Sequence, residues 1–268
     1  MPRFRQSYWG ATPPVGPFEI NRASMQAMGL IGWWSPARQP GILYGVPDMA
    51  GNLPATMVGS VAYVYDPIMG WALDYVADSN KYLEPGTSQL LSPTGAMTVS
   101  VWFNADVITG DTKLVDRDTS ASRGYSLAVN TSKITWGVPG YAIDKVGPDL
   151  VVGATYHLVA TGDATAGWDL YLNGQLIGEM AWHTPGSSTA ATRISRGSYT
   201  GYFGPFNGRI GDVRIYNRGM SPAEAWQLWD PLTRWELYKP LRRLWAAGAM
   251  GATPPVVTGR SFAVMIGG

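Results

Sequence analysis

The chain has 268 residues and a formal net charge of only +1, and glycine (33) with proline (20) makes up about a fifth of it. Charged residues are 15% of the total, below the roughly 25% of ordinary soluble domains, and hydrophobic residues are 46%, which excludes a disordered bulk and suits a turn-rich, sheet-rich core. The absence of cysteine removes disulfides, thiolate zinc sites, a cysteine nucleophile and thiol redox chemistry together.

Residues 1–26 carry Arg3, Arg5 and Arg22 against Glu19, a charge of +2. Tyr8-Trp9-Gly10-Ala11-Thr12-Pro13-Pro14 interrupts any apolar h-region, so no signal peptide is expected and synthesis in a cytoplasm is. Residues 98–103 (Thr-Val-Ser-Val-Trp-Phe) alternate small polar with large apolar side chains, as do 125–129 and 134–138, and each predicts a strand. Strands at 156–161 and 168–172 follow, and Asn173-Gly174 supplies the two positive φ angles of a type I′ turn before a strand at 175–178. A second Asn-Gly pair, Asn207-Gly208, precedes residues 209–216, where Ile210, Val213 and Ile215 break the period of two and predict a bulge at Gly211. One helix is predicted: Ser221 as N-cap, Pro222 at the first helical position, Glu224 closing a capping box, then Ala225, Trp226, Leu228 and Trp229 before Asp230-Pro231.

Residues 231–268 carry Arg234, Lys239, Arg242, Arg243 and Arg260 against Glu236, a charge of +4, which leaves −5 for residues 27–230. An acidic centre between basic, proline-containing ends is the pattern of arms that dock on something. Residues 246–259, broken by Gly248, Gly251, Pro254 and Pro255, fall short of the roughly 20 apolar residues a spanning helix needs, so no membrane insertion is expected. Many short strands with spaced turns and a single terminal helix predict an all-β sandwich or jelly roll.

Five segments resemble the laminin-G-like branch of the concanavalin A-like lectin/glucanase jelly rolls. Gly29-Leu30-Ile31-Gly32-Trp33-Trp34 is similar to the family's opening strand, residues 43–52 to its aspartate, glycine and asparagine turn, residues 70–83 to the next strand pair and residues 97–104 to its centre strand. Residues 206–221 (FNGRIGDVRIYNRGMS) are similar to the closing motif F-x-G-x-I-D-D-V-R-I-Y-N-R-A-L-S, with Gly211 in place of its first aspartate. The resemblance covers about residues 27–230 and implies two packed antiparallel sheets of six or seven strands with one concave face and a short C-terminal helix. Extended arms at 1–26 and 231–268 flank it. In such domains the concave face or its rim binds sugars or proteins, sometimes with calcium; the fold by itself assigns no function.

Glucanases of this fold need two glutamates on alternate positions of one strand as acid and nucleophile. The five glutamates, Glu19, Glu84, Glu179, Glu224 and Glu236, include no two within ten residues, so no catalytic residue is assigned and the chain is read as not an enzyme. His157 lies mid-strand and reads as a hydrogen-bonded sheet residue, and His183 lies in a loop with no triad in view. No cofactor is expected; Asp116 and Asp118 are weak candidate calcium ligands, against which each reads as a turn-solvating residue with Arg117 between them. Trp33, Trp102, Trp136 and Trp168 read as core. Tyr199 and Tyr202 in a glycine-rich loop, with Asn207 nearby, are the candidate glycan contacts.

In the C-terminal arm, Trp235, Tyr238, Arg242, Arg243 and Trp245 are the candidate assembly interface, since so much apolar surface must pack, either on its own sandwich or on a neighbouring chain. Basic with aromatic residues also suits nucleic acid, but five positives against one negative is too little, and no nucleic-acid partner is expected. A laminin-G-like domain without an export signal points to a tailed-phage virion, made in the host cytoplasm and extracellular after lysis. The sequence reading is a capsid decoration or a head or tail fibre component, contacting other virion proteins or further copies of itself and possessing a face for cell-surface glycans. The competing classes are a free bacterial carbohydrate-binding or adhesion module and, behind it, a glycoside hydrolase.

Overall fold

The computed structural model describes residues 8–38, 45–51, 53–78, 80–119, 121–198 and 204–241. Its strands are β1 (Phe18–Ile20), β2 (Leu30–Trp34), β3 (Gly45–Val46), β4 (Ala55–Val58), β5 (Ala62–Asp66), β6 (Gly70–Tyr75), β7 (Tyr82–Gly86), β8 (Met97–Ala105) and β9 (Asp111–Asp116). They continue with β10 (Ser126–Asn130), β11 (Lys133–Val138), β12 (Tyr141–Val146), β13 (Thr155–Asp163), β14 (Gly167–Leu172), β15 (Gln175–Met180), β16 (Thr192–Ile194), β17 (Gly208–Tyr216) and, after the helix α1 (Pro222–Trp229), β18 (Tyr238–Pro240).

Two eight-stranded sheets make the sandwich. One runs β12-β11-β10-β9-β16-β7-β4-β3, the other β15-β14-β13-β8-β17-β6-β5 with β2 also on β17. The first sheet exceeds the six or seven strands expected through β3, with two residues, and β16, with three, which are too short to show a period in sequence; the second reaches eight through β2, which shares β17 with β6. The Asn173-Gly174 turn forms as predicted, with φ of 51° and 75° and Leu172 opposite Gln175. Strand β17 pairs through Gly208–Ile210 with β6 and through Val213–Tyr216 with β2, and its register against β8 shifts between Ile210 and Val213. The bulge predicted at Gly211 thus lets one strand serve two neighbours along one edge. A Cβ at Gly211 would lie 3.0 Å from Met69 Sδ, so Met69 packs where the family pattern carries its first aspartate. Helix α1 is capped as read: Ser221 Oγ accepts from the Glu224 N–H (3.4 Å) and Glu224 Oε2 accepts from the Ser221 N–H (2.9 Å).

Burial separates the faces. Val99, Val101 and Phe103 of β8, Leu158 of β13, Trp168 of β14 and Ile210, Val213 and Ile215 of β17 meet Leu127, Val129, Ile134, Trp136 and Ile194 of the other sheet. Every residue of β8 is buried and β17 nearly so, which requires a cover on the outer face as well. Helix α1 supplies part of it, setting Ala225 and Leu228 on Val159, Tyr171 and Tyr216. The terminal segments supply the rest: β1 pairs with β18, and Phe18, Trp235, Leu237 and Tyr238 pack on Trp33. Of the two packings open to the tail, residues 231–241 therefore take their own sandwich. The assignment of Trp235 and Tyr238 to an assembly interface is corrected, since each is 1% exposed and faces this cover layer, with no side-chain surface left for another subunit. Arg242, Arg243 and Trp245 lie outside the described residues.

A buried polar centre ties the cover down. Arg214 donates from Nε to Asp212 Oδ2 (2.8 Å) and from Nη1 to Gln26 Oε1 (2.9 Å), Trp33 Nε1 donates to Asp212 Oδ1, and Ser35 Oγ bonds Tyr238 Oη (3.0 Å). Asp212, the aspartate retained from the closing motif, accepts from both Arg214 and Trp33.

Candidate functional site

In contrast to β8, strands β7 and β11 alternate buried and partly exposed residues, so their sheet keeps an uncovered outer face. Tyr82 and Glu84 of β7 stand there beside Arg193 of β16, because β16 lies between β7 and β9 with Ile194 opposite Leu83 and Arg193 opposite Asp116. Arg193 Nε donates to Glu84 Oε2 at 3.0 Å. Immediately after β16, Ser195 adopts φ 77°, a conformation rare for a residue with a Cβ, and is held by its N–H to Leu114 O (3.0 Å) and its Oγ to Lys81 O (3.1 Å). That turn sets Arg196 back over the same ring: the guanidinium carbons of Arg196 and Arg193 lie 4.5 and 5.2 Å from the Tyr82 centroid. Burial, followed by the neighbouring charge of Arg193, lowers the Arg196 pKa, yet a guanidinium keeps its proton. The face thus offers an aromatic ring, the Arg193 guanidinium and one carboxylate, while Arg196, beside the ring, is itself only 7% exposed.

Among the described residues, the sequence candidates Asp116, Asp118 and Asn207 are engaged elsewhere than with the Tyr82 ring. Asp116 is 2% exposed; its Oδ2 accepts from the N–H of Ser198 (2.7 Å) and of Asp118 (3.3 Å), and burial pushes its pKa up against those bonds. Asp118 accepts from the Gly124 N–H (3.2 Å) and pairs with Arg123 Nε (2.9 Å). Both carboxylates thus serve turns, and Arg117 is fully buried, donating to Thr192 Oγ1 (2.8 Å), Ser188 O (2.8 Å) and Thr87 O (3.1 Å). Among the described residues no three acidic or histidine side chains are grouped to hold a metal ion.

Tyr199 and Tyr202 lie outside the described residues. The chain on either side of them is anchored to β9, through Ser198 on Asp116 and through Gly204 O, which accepts from the Lys113 N–H at 2.8 Å. Asn207 stands apart, where the chain crosses to β17, its carbonyl accepting from the Asp106 N–H at 3.0 Å. His157 is buried on Trp102 (4.6 Å, 30°) with Nε2 2.9 Å from Ser100 Oγ, and burial, then Arg214 and Arg234, push its pKa well below the usual imidazole value. His183 lies against Tyr141 on a rim of the sandwich. Glu84 and Glu179, the two glutamates on sandwich strands, belong to different sheets. No helix among the described residues is long and apolar enough to cross a membrane.

A sequence model of the concanavalin A-like lectin/glucanases superfamily, of laminin-G type, matches residues 77–225, more than half of the chain. The chain belongs to this superfamily. Comparison with curated proteins gives no match. Among solved structures, domain 4 of an extracellular arabinanase from Geobacillus stearothermophilus, in complex with arabinotriose, is 19% identical with a TM-score of 0.56 over 75% of this chain and 98% of that domain. The binding domain of Paraclostridial mosquitocidal protein 1 is 13% identical with a TM-score of 0.59, over 75% of this chain and 52% of that one. A Trypanosoma rangeli sialidase in complex with the inhibitor DANA is 14% identical with a TM-score of 0.56, over 75% of this chain and 32% of the sialidase, so the chain spans about a third of that enzyme. At such low identities the TM-scores show a shared fold and no more, the fold that the sequence resemblance implied.

Tyr82, Glu84, Arg193 and Arg196 were not singled out from sequence. The Tyr-x-Glu spacing at 82 and 84 is a signal that both side chains share a face of a strand, but nothing local to residues 192–196 announces that β16 inserts beside it.

Proposed function

We propose that this protein is a non-enzymatic structural component of a tailed-phage virion, a capsid decoration or a head or tail fibre component, whose jelly roll turns its uncovered sheet face toward host glycans. The observation that carries the glycan reading is the Tyr82 ring under Arg193 and Arg196, with the Glu84 carboxylate beside them, on the sheet face left uncovered. A sugar ring presents apolar C–H faces to aromatic surface and equatorial hydroxyls to fixed donors and acceptors, and binding sites of this kind combine both. The likeness to an arabinanase domain described with arabinotriose, and to the binding domain of a toxin, supports the reading of a binding module. Hydrolysis by two carboxylates in one cleft has little support, because Glu84 is engaged by Arg193 and Glu179 stands in the other sheet. The virion half of the proposal rests on the basic and aromatic residues beyond 241, Arg242, Arg243 and Trp245, as contacts to other virion proteins or to further copies of the chain.

Glycan-array binding of the full chain tests the first half: Tyr82→Ala and Arg193→Ala should each weaken binding at least about tenfold, roughly 1.4 kcal/mol. Unchanged binding in both variants removes the face from the proposal. Deleting residues 242–268 tests the second half, with lost incorporation into particles and an unaltered melting temperature as the expected result. Unaltered incorporation would refute it and favour a free adhesion module.

A further inference from the structure

His157 of β13 is 1% exposed and lies on Trp102 of β8, which in turn stacks on Trp235 (6.3 Å, 22°) and has the Arg234 guanidinium 5.2 Å from its ring. The histidine Nε2 is 2.9 Å from Ser100 Oγ, while Nδ1 is buried with no hydrogen-bond partner among the described residues. We propose that these groups form an acid-sensitive latch: protonation of His157 releases residues 231–241 from the outer face of β8 while the two sheets stay folded. The latch lies on the covered sheet and is independent of the glycan reading.

The surroundings of His157 accept a neutral ring and oppose a charged one. An imidazolium donates from both nitrogens, so protonation would leave Nδ1–H as a buried donor without an acceptor. Burial disfavours the charge first, and Arg214 of β17 and Arg234 of the C-terminal segment add like charge from two sides. The other elements in contact bring no charge: β8 presents Ser100 and Trp102, and the turn after β14 presents Asn173, whose Oδ1 accepts from the His157 backbone N–H (2.8 Å). The nearby carboxylates serve the arginines instead, Asp212 pairing with Arg214 and Asp230 and Asp66 standing by Arg234.

Of the two arginines, Arg234 is the one free to yield. Arg214 donates to Asp212 from Nε and Nη2 and to Gln26 from Nη1, on a strand paired with β2 on one side and β8 on the other. Arg234 has one hydrogen bond to the backbone, Nη2 to Ala11 O at 3.3 Å, and ring contacts with Trp102 and Trp235; its Nε and the Trp235 Nε1 have no partner among the described residues. The segment that carries Arg234 follows α1 directly and is fastened by β18, a three-residue strand paired with β1, whereas β8 and β13 share an eight-residue ladder. Short ladders open at lower free energy than core strands, so like-charge repulsion at His157 is relieved by lifting residues 231–241 and not by displacing β17.

The test is hydrogen exchange read by mass spectrometry on the full chain between neutral pH and about pH 5, corrected for the intrinsic pH dependence of amide exchange. The closed form binds fewer protons at His157 than the open one, so closure is complete above about pH 6.5, and each pH unit below it favours opening by up to about tenfold. Protection of residues 231–241 should therefore fall at least about tenfold by about pH 5, while peptides from β8 and β13 keep theirs. His157→Gln, whose side chain stays neutral, should lose this dependence, and His157→Asn makes the same comparison if the first variant does not fold. Wild-type protection of residues 231–241 that does not change with pH overturns the proposal whatever the variants do. Equal loss in β8 and β13 overturns it too, since the whole domain then opens, as does an undiminished fall in a folded His157 variant.

Discussion

Replacing Trp235 by alanine asks whether the segment after α1 is part of the domain or a detachable arm. Trp235 is 1% exposed, stacks on Trp102 at 6.3 Å and 22°, meets Tyr238 edge-on at 5.4 Å and has the Arg234 guanidinium 5.0 Å from its ring. Truncating a buried tryptophan to alanine costs about 3–5 kcal/mol, because the transfer energy of the ring is lost and the surroundings collapse only partly into the cavity. That is large against a total stability of roughly 5–15 kcal/mol. At about 2–4 °C per kcal/mol for a domain of this size, the melting temperature should fall by about 6–20 °C. Trp235→Phe should cost less, since the indole N–H it removes has no hydrogen-bond partner among the described residues. Deletion of residues 242–268 is the control and should move stability by no more than about 0.5 kcal/mol. Urea unfolding and calorimetry on the three variants give the answer. A Trp235→Ala shift below about 2 °C, or a deletion that costs as much as Trp235→Ala, would refute the placement of the tail in the cover layer.

Two further outcomes follow from the same layer. Arg214→Met leaves the Asp212 carboxylate buried without its partner and should cost about 3–5 kcal/mol, whereas Arg214→Met combined with Asp212→Leu should cost less than the single change; chemical denaturation of both singles and the double measures the coupling. Burial, then the charges of Arg214 and Arg234, hold the His157 pKa well below its usual value, while the unfolded chain keeps it near about 6.5. The folded state therefore binds fewer protons, so this contribution is complete above about pH 6.5 and declines as the pH falls below it. Urea midpoints measured downward from neutral pH should fall in the wild type and fall less steeply in His157→Gln; identical slopes would exclude the assignment.

What the sequence made legible was local chemistry. Asn173-Gly174 has the residues a type I′ turn requires, Ser221 and Glu224 are a capping box wherever they precede a helix, and the broken alternation around Gly211 is a bulge, and all three formed. The uncovered face was not legible, because Tyr82 and Arg193 are more than a hundred residues apart and meet only through β16, three residues long. The two carboxylates at 116 and 118 looked like a pair, but Asp116 turns back to Ser198 while Asp118 turns to Gly124 and Arg123. Adjacency in sequence gave no convergence there.

The sequence leaves the packing of the tail open between its own sandwich and a neighbouring chain, and the signal that decides between them for residues 231–241 lies in β8. With Val99, Val101 and Phe103 facing the other sheet, alternation sends Ser100, Trp102 and Asn104 to the outside, so Trp102 cannot belong to the core between the sheets. Trp33 is in the same position on β2, next to Trp34, which does face inward. Two large indoles on a face that a free-standing sandwich would leave wet require a cover, and beside Ala37, Met49 and Met69 that cover draws on both ends of the described chain: Phe18 on one side, Trp235, Leu237 and Tyr238 on the other. Proline and basic charge made those ends look like arms, yet Lys239 pairs with Glu19 across the β1–β18 ladder and Arg234 lies 5.2 Å from the Trp102 ring. The basic residues from 234 to 239 therefore belong to the fold, which leaves Arg242, Arg243 and Arg260 as the positive charges beyond the described C-terminal segment. Any electrostatic docking of the C-terminal end must be argued from those three.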